Sequence, residues 1–492
     1  MSPASITLIN LVLLFGSALA LLGILSSVLA TRFGIPLLLV FLAIGMFAGV
    51  DGPGGFQFEN YELTYLIGSF ALSVILFDGG LRTRLTSDLR RRRKPAALLA
   101  SAGVLITAII TGLVAMWALE LSWLEGFLLG SVVASTDAAA VFFLLRSGGL
   151  RLRQHVGSTL EMESATNDPA AVFLTLVATS ALLAGADGFG VGVLGALLWQ
   201  IVGGIAFGVA GGFAISWGVN SLHLPAGLHP LMVVASAVLI YAATSVTGGS
   251  GLLAVFLAGL VVGNRPMRAF ANVTSFHDAA TWLCQMVMFI VLGLLVTPSR
   301  LVEYLLPALV IALLLMVVAR PVAVWLCFLP FNYSRKETFF VSLVGLRGAV
   351  SIFLAAIPTL AQIENADIYF NVAFVVVLVS LLVQGSAIRQ AATRLGLAVV
   401  SKTRPPRRVE LDLPGQLDLE MVGYPIVHGS PILAGAALPP WVRPVLIVRN
   451  REVVDAATAG ALRPDDYAYF LAPPQQIHAL DRLFAATDEP SP

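Results

Sequence analysis

Thirteen apolar runs of bilayer length follow one another through the first 390 residues. The hydrocarbon core of a bilayer is roughly 30 Å thick, and a helix needs about 20 apolar residues to cross it. Hydrophobic residues make up 58% of the chain and charged residues only 12%, whereas soluble domains are about a quarter charged. We therefore predict an all-α polytopic membrane protein with thirteen transmembrane helices, at about 4–30, 34–50, 61–80, 95–118, 124–145, 155–184, 191–217, 229–247, 249–264, 277–297, 303–328, 338–358 and 368–390.

The loops between these runs differ in charge in strict alternation. Arginine and lysine follow the odd-numbered runs, with Arg300 as the exception, while acidic residues edge the other loops. Because short cytoplasmic loops are enriched in basic residues, we predict that the N-terminus lies outside and the C-terminus lies in the cytoplasm. The net charge of +1 gives no indication of a nucleic-acid partner.

The composition changes after the last apolar run. We predict a transmembrane domain at 1–395, a basic and proline-containing linker at 396–415 and a cytosolic α+β domain at 416–492. Alternating apolar residues predict strands near 418–426, 443–449, 452–456 and 466–472, with a turn at Asn450-Arg451 and an amphipathic helix at 474–485. A domain of this size is marginal alone, which favours docking or dimerisation.

The sixth run, 155–184, carries several polar residues at membrane depth. It contains Glu163, Asn167 and Asp168, and an ionisable residue inside a bilayer costs several kcal/mol, roughly 2.5–3.5 on insertion scales. Glu163 and Asn167 share one helical face, and Ser164 and Asp168 share the next. Pro169 leaves a backbone carbonyl one turn away without its donor, so we expect the helix to kink or open there. Oxygen ligands gathered in this way indicate a site for a hard cation.

Two other runs place charges at a similar depth. The fifth reaches Thr136 and Asp137 halfway along, and the twelfth reaches Arg347 between two glycines. We predict that both helices are broken in mid-membrane, that Glu163 pairs with Arg347, and that Asp168 and Asp137 handle a transported ion. The two breaks fall at corresponding positions of oppositely oriented helix triplets, which is typical of the inverted repeats of secondary transporters.

These motifs resemble the cation/proton antiporter superfamily. S-T-D in the fifth run, E-S-x-x-N-D-P in the sixth and G-L-R-G-A-V in the twelfth are together similar to its NhaP-like branch. R-F-G-I-P at 32–36, L-F-D-G-G-L at 76–81 and G-N-R-P at 263–266 are similar to the potassium/proton subgroup. The resemblance covers about residues 5–395 and implies an NhaA-like antiporter fold. It also implies that the protein lies in the inner membrane of a bacterium as a homodimer and exchanges K⁺ (or Na⁺) for H⁺.

The resemblance also implies roles for individual residues. Asp168 would be the carboxylate that binds the cation and the proton in turn, with Ser164, Thr136 and Asp137 as ion ligands. Asn167 would support the site, and Glu163 with Arg347 would form a structural ion pair. An Asn-Asp pair at 167–168 is similar to the electroneutral branch of the superfamily.

The tail resembles the C-terminal lobe of modules that regulate potassium conductance, the TrkA-C type. The resemblance rests on G-S-P-I-L-A-G at 429–435, I-V-R-N-R at 447–451 and L-R-P-D-D-Y at 462–467. Such lobes often bind small anions or nucleotides, so a nucleotide is one candidate for a regulatory ligand of the tail, and the identity of the ligand stays open. No other cofactor is expected.

Two further charged residues in the apolar runs need an interpretation. Asp78, near the end of the third run, either lines the ion path or lies at a solvated helix end. Arg320 lies toward the cytoplasmic end of the eleventh run, where we expect its side chain to reach the membrane surface.

Two other classes of function share a feature with this sequence. A regulated potassium channel fits the tail, but a potassium filter needs a T-V-G-Y-G-like segment and none occurs. An intramembrane serine protease fits G-x-S-G at Gly248–Gly251, but a nucleophilic serine needs a base within hydrogen-bond reach, and His277 falls at the opposite membrane surface. We therefore predict a transporter and not an enzyme.

Overall fold

The structure is a computed structural model of the 492-residue chain. It describes residues 3–33, 36–83, 94–147, 149–184, 191–222, 224–225, 227–400, 407–410 and 420–426, and residues 430–484 except 434, 450–451, 457, 459, 465, 474–475, 477–479 and 481–482. The predicted turn at Asn450-Arg451, and most of the predicted helix at 474–485, lie outside the described residues.

Helices account for most of the described residues up to Arg394, and each of the thirteen predicted runs coincides with one helix or with a broken pair. They are α1 Pro3–Phe33, α2 Leu37–Ala48, α3 Tyr61–Arg82, α4 Lys94–Leu119, α5 Trp123–Val132, α6 Ala138–Ser147, α7 Gln154–Ala184, α8 Val191–Ser221, α9 Leu228–Val246, α10 Gly251–Gly263, α11 Phe270–Leu295, α12 Pro298–Phe328, α13 Arg335–Leu343, α14 Ala349–Leu360 and α15 Ala366–Arg394. Within the described part of the chain, eight helical segments are long and apolar enough to cross a membrane. The polytopic helical architecture is confirmed.

Two of the predicted runs are interrupted, as the sequence predicts. Helix α5 ends at Val132 and α6 begins at Ala138, while α13 ends at Leu343 and α14 begins at Ala349. Each pair begins with a serine capping box, Ser122 with Glu125 and Ser334 with Glu337, which fixes the first turn of the leading half-helix.

Close backbone contact holds the first broken pair in place. A Cβ at Gly130 of α5 would lie 2.1 Å from the carbonyl oxygen of Ala108 in α4. The absence of a side chain lets the two helices approach closely, as small residues do at membrane helix interfaces. Helix α4 thus supports the half-helix that leads into the first break.

Helix α7 does not open at Pro169. It runs as a continuous helix from Gln154 to Ala184, so an opening at Pro169 is wrong, and a kink there stays a prediction. A proline removes one hydrogen bond from a helix, and the remaining bonds of this long helix are enough to keep the turn closed.

A small sheet missed by the sequence analysis joins α6, α7 and the chain after α15. Strands β1 (Leu150–Leu152) and β2 (Ala398–Val400) pair antiparallel. The N–H of Arg153, next to β1, also donates to the carbonyl of Leu397 at 2.9 Å. The segment leading to the tail is therefore hydrogen-bonded to the connection between two helices of the site described below.

The tail contains a five-stranded antiparallel sheet in the order β3-β4-β7-β5-β6. Its strands are β3 Arg407–Glu410, β4 Glu420–Pro425, β5 Arg443–Arg449, β6 Glu452–Asp455 and β7 Tyr467–Ala472. The four strands expected from the sequence are confirmed, whereas β3 lies inside the stretch predicted to be a linker. Tyr424 and Phe470 fill one face and pack against Phe484.

Asp466 holds the sheet to a neighbouring loop. Its carboxylate accepts two hydrogen bonds from Arg449, at 2.9 and 2.8 Å, and a third from the N–H of Arg463 at 2.8 Å. The hydrogen bonds from the Arg449 guanidinium, and after them its opposite charge, lower the pKa of the Asp466 carboxyl, because both favour the ionised acid.

Candidate functional site

The break between α5 and α6 is held open by its own polar side chains. Residues 134–137 are not helical, and serine, threonine and aspartate compete with helical backbone bonds through their side chains. Asp137 caps the second half-helix, since its Oδ1 accepts from the N–H of Ala140 at 3.1 Å. A short non-helical segment therefore exposes backbone carbonyls and oxygen side chains inside the bundle.

The break between α13 and α14 lies directly against the first one. The N–H of Asp137 donates to the carbonyl oxygen of Leu346 at 2.8 Å. A Cβ at Gly348 would lie only 2.7 Å from Oδ2 of Asp137, so a larger residue would push that carboxylate away. The two breaks thus form one crossing in which a carboxylate of one helix pair faces the backbone of the other.

Helix α15 fixes the conformation of the second break. The N–H of Arg347 donates to the hydroxyl of Ser380 at 3.0 Å, and the amide of Gln384 donates to the carbonyl of Leu343 at 2.9 Å. The hydroxyl of Ser380 in turn donates to Gln384 at 2.7 Å. Backbone groups released by the break are satisfied in this way by side chains of a continuous helix.

Asp168 reaches the crossing from α7. It is 8% exposed, and Oδ1 accepts a hydrogen bond from the hydroxyl of Ser135. The predicted proximity of Asp168 to the first break is thus observed. Ser135 was absent from the predicted ligands, although the S-T-D motif contains it.

Ser164 and Asn167 hold the segment that faces Asp168. The hydroxyl of Ser164 donates to the carbonyl of Thr136 and accepts from the N–H of Ala138, both at 3.0 Å. The amide of Asn167 donates to the Thr136 hydroxyl at 2.6 Å and to its carbonyl at 3.3 Å. Their observed contacts position the backbone at Thr136, and the role of Ser164 as an ion ligand stays a prediction.

Glu163 pairs with Arg320, so the predicted pair with Arg347 is wrong. The two carboxylate oxygens accept from the two terminal nitrogens of Arg320, at 2.6 and 2.9 Å. Arg320 is 2% exposed, so its expected position at the membrane surface is wrong as well. Two buried charges at this depth are tolerable because each compensates the other.

Arg347 has a different partner, the backbone of the first break. One terminal nitrogen donates to the carbonyls of Ala134 and Ser135, at 2.9 and 2.8 Å. These carbonyls have no helical N–H to accept from, since the chain is not helical at 134–137. Arg347 therefore stabilises the break that carries Ser135 and Asp137.

Asp78 lies in a separate cluster. Its Oδ2 accepts from Nε of Arg82 at 2.7 Å, one turn later in α3, and Arg82 also contacts Asp278 of α11. Asp78 is buried, so the reading as a solvated helix end is wrong. The hydrogen bonds and ion pairs found in the described part of the chain do not link it to Asp168, and a role in the ion path stays a prediction.

Replacing Ser135 with alanine should change the competition between proton and cation. Its hydroxyl donates to the Asp168 carboxylate, and a hydrogen bond to a charged group contributes roughly 1.5–3 kcal/mol. Without that bond the ionised acid is less stable, so Ser135→Ala should shift the pH profile of transport upward by about one unit or more. The measurement is transport rate against pH in reconstituted vesicles.

Ser131→Ala is the matched control for this change. Ser131 is buried one turn earlier, and its hydroxyl donates only to the carbonyl of Phe127 in its own helix. Its pH profile should stay within a few tenths of a unit of the parent. Equal shifts in both variants would contradict a specific role for Ser135.

Comparisons with known proteins identify the family of this chain. Residues 17–394 match the family described as sodium/hydrogen exchanger, transmembrane. The K(+)/H(+) antiporter NhaP2 of Shewanella baltica is 42% identical over 490 residues, covering 98% of this chain and 84% of the relative. The K(+)/H(+) antiporter NhaP of Alkalimonas amylolytica is 45% identical over 426 residues, covering 86% and 74%.

A solved structure has the same architecture. The sodium proton antiporter MjNhaP1 from Methanocaldococcus jannaschii matches with a TM-score of 0.69 and 26% sequence identity, covering 79% of this chain and 99% of that one. The resemblance of the transmembrane motifs to NhaP-like antiporters is confirmed, whereas the TrkA-C resemblance of the tail stays a prediction. The chain belongs to the sodium/hydrogen exchanger family, a family of membrane transporters and not of enzymes.

Proposed function

We propose that the chain exchanges K⁺ for H⁺ by alternating access, with Asp168 binding the two ions in turn. The observation that carries this proposal is the placement of one buried carboxylate against the crossing of two broken helices. Discontinuous helices at the middle of inverted repeats form the substrate sites of many secondary transporters. The crossing supplies hydroxyls, backbone carbonyls and a second carboxylate, which are ligands that alkali cations accept.

Competition for one carboxylate is enough to couple the two ions. Burial disfavours the ionised acid, so Asp168 gains from binding either a proton or a cation. A site that is empty and charged is expensive to expose to the membrane interior, and each passage therefore requires an occupant. Exchange follows without a separate coupling device.

The charges around the site support a one-for-one stoichiometry. The cluster contains the carboxylates of Asp137, Glu163 and Asp168 and the guanidinium groups of Arg320 and Arg347. With all five charged, one net negative charge remains. One monovalent cation or one proton neutralises it, which fits electroneutral exchange.

K⁺ is the favoured cation because both of the bacterial relatives above are named K(+)/H(+) antiporters, with Na⁺ as the alternative. In proteoliposomes that contain a pH-sensitive dye, K⁺ added outside should move protons at a several-fold lower concentration than Na⁺. Proton movement should persist when the membrane potential is clamped. A regulated channel would instead give a potassium-dependent voltage and no proton counterflow.

The remaining assignments rest on the loop charges, on the resemblance to NhaP-like antiporters and on the tail. The thirteen predicted runs, two of them as broken pairs, would all cross the inner membrane, with the N-terminus outside and the C-terminus in the cytoplasm. Two copies would form a homodimer. Residues 416–492 would form a TrkA-C-like regulatory domain that binds a small ligand such as a nucleotide. The pairing of β1 with β2 links the segment before that domain, through hydrogen bonds, to the connection between α6 and α7.

A further inference from the structure

A cavity of about 220 Å³ lies apart from the crossing, at one end of the helix bundle. Its polar lining comes from Gln200, Tyr241, Ser245 and Ser250, together with the backbone of Gly248–Gly251. None of the residues that line it is charged. The cavity is therefore rich in neutral oxygen and amide groups that can replace part of a cation's hydration shell.

The charge pattern of the loops places this cavity on the outer side. Tyr65 lies in the first turns of α3, Gly248–Gly251 connects α9 to α10, and Ile357 lies in the last turn of α14. All three positions are at helix ends that the basic residues of the other loops assign to the outside. An ion that enters the cavity would come from the external solution.

Helix α7, which carries Asp168, also lines the cavity. Val172 and Leu176 line the cavity, and they follow Asp168 in α7 by four and eight residues. At a rise of 1.5 Å per residue these positions are about 6 and 12 Å further along the axis, on one side of the helix. The inner wall of the cavity thus begins about one turn from the carboxylate.

A stacked aromatic pair forms part of the cavity wall. The rings of Tyr65 and Phe353 stack with centroids 5.1 Å apart and planes at 17°, and Phe353 is buried. Phe353 rests directly on α3, because a Cβ at Gly68 would lie 2.4 Å from its ring. Both rings line the cavity, and the helix that carries Phe353, α14, begins directly after Gly348 of the crossing.

We propose that this cavity is the outer vestibule for a partly hydrated alkali cation, and that the Tyr65–Phe353 pair is the seal that separates it from Asp168 in this conformation. The proposal rests on the exchange function proposed above. A vestibule without fixed charge suits an exchanger, because an ion must bind there only weakly if it is to move on.

Cysteine labelling from outside tests the vestibule. Ser245→Cys, at an exposed position of the cavity, should react with a membrane-impermeant thiol reagent added to right-side-out vesicles. Ser216→Cys, at a position 3% exposed in α8, should react slowly and serves as the control. Cys284 and Cys327 are buried, so the unsubstituted chain gives the background. Labelling of Ser245→Cys only in inside-out vesicles would overturn the assignment.

A second reporter tests the seal. Ser351 lies in α14 between Gly348 of the crossing and Phe353 of the pair, is 0% exposed, and its hydroxyl has no hydrogen-bond partner among the described residues. Ser351→Cys should be labelled slowly in the parent and roughly tenfold faster when Phe353→Ala or Tyr65→Ala is added, because removal of one ring abolishes the stack. Tyr65→Phe keeps both rings and should leave the rate unchanged.

Unchanged labelling of Ser351→Cys in variants of both rings would overturn the seal. Because Phe353→Ala alone could fail to fold, Tyr65→Ala gives the same test from the other helix. Cysteine labelling does not depend on transport. The labelling experiments are therefore repeated in chains that also carry Asp168→Asn, which separates the vestibule from the proposed exchange function. If labelling follows expectation while Asp168→Asn still exchanges ions, the proposed function fails and the vestibule stands. If labelling fails while Asp168→Asn blocks exchange, the vestibule alone is wrong.

Discussion

Asp168→Asn should abolish cation-driven proton movement while the protein still folds and inserts into the membrane. The asparagine keeps the size of the side chain and can accept the hydrogen bond that Ser135 donates, so the crossing of the broken helices should be preserved. It cannot bind a proton in exchange for a cation. Leaving a buried cation without its carboxylate costs about 3–5 kcal/mol, so cation binding should weaken by roughly a hundredfold or more.

The measurement is dye-reported proton flux in proteoliposomes driven by a K⁺ gradient, together with gel filtration and thermal unfolding of the purified variant. Glu161→Gln is the matched control. Glu161 is an exposed acid two turns earlier in the same helix, and its removal should leave the flux within about twofold of the parent. Flux in Asp168→Asn that is retained and still depends on pH would remove the basis of the proposed mechanism.

Much of this site could be predicted from the sequence because membrane depth is a one-dimensional quantity. The position of a polar residue along an apolar run gives its depth once the orientation of the run is known. The sequence therefore predicts that Asp168, Thr136 and Arg347 lie at a similar depth in the membrane, and the structure places all three at the crossing of the broken helices. The breaks were also predictable, because glycine and short polar residues favour non-helical backbone inside an otherwise apolar helix.

Which residues of different helices face each other at one depth could not be predicted in the same way. Depth alone does not distinguish Arg320 from Arg347 as the partner of Glu163. A π-helical turn at Leu315–Ala319 directly precedes Arg320, and such a turn rotates the following residues relative to regular α-helical spacing. No feature of the sequence indicates that turn. Ser135 was missed for a related reason, since helical spacing gives no side-chain directions in a non-helical segment.

Short elements were also outside the reach of the sequence. Strands β1 and β2 are three residues each, too short for an alternating pattern to be recognised. Their pairing depends on residues that are far apart in the chain. Strand β3 was hidden by the prolines and basic residues before it, which are typical of a linker.

Removing either member of the Glu163–Arg320 pair should destabilise the protein strongly. Both side chains are buried, at 1% and 2% exposed. Removal of either one would leave the other as an unpaired buried charge. Breaking such a pair costs about 3–5 kcal/mol, whereas replacing both members together can be nearly neutral. We therefore expect Glu163→Gln and Arg320→Gln each to lower the thermal stability of the purified protein substantially, and the double variant to recover most of the loss.

The two single variants and the double variant form a double-mutant cycle. A second cycle, of Glu163 with Arg347, distinguishes the observed ion pair from the predicted one. Arg347 donates to the carbonyls of Ala134 and Ser135, so its loss should destabilise the first break whether or not Glu163 is present. Residues in direct contact show coupling energies of about 0.5–3 kcal/mol. We expect the coupling of Glu163 with Arg320 to lie in the upper part of that range and its coupling with Arg347 to be clearly smaller. A larger coupling with Arg347 would mean that Glu163 exchanges partners and that the pair with Arg320 is the minor one in the membrane.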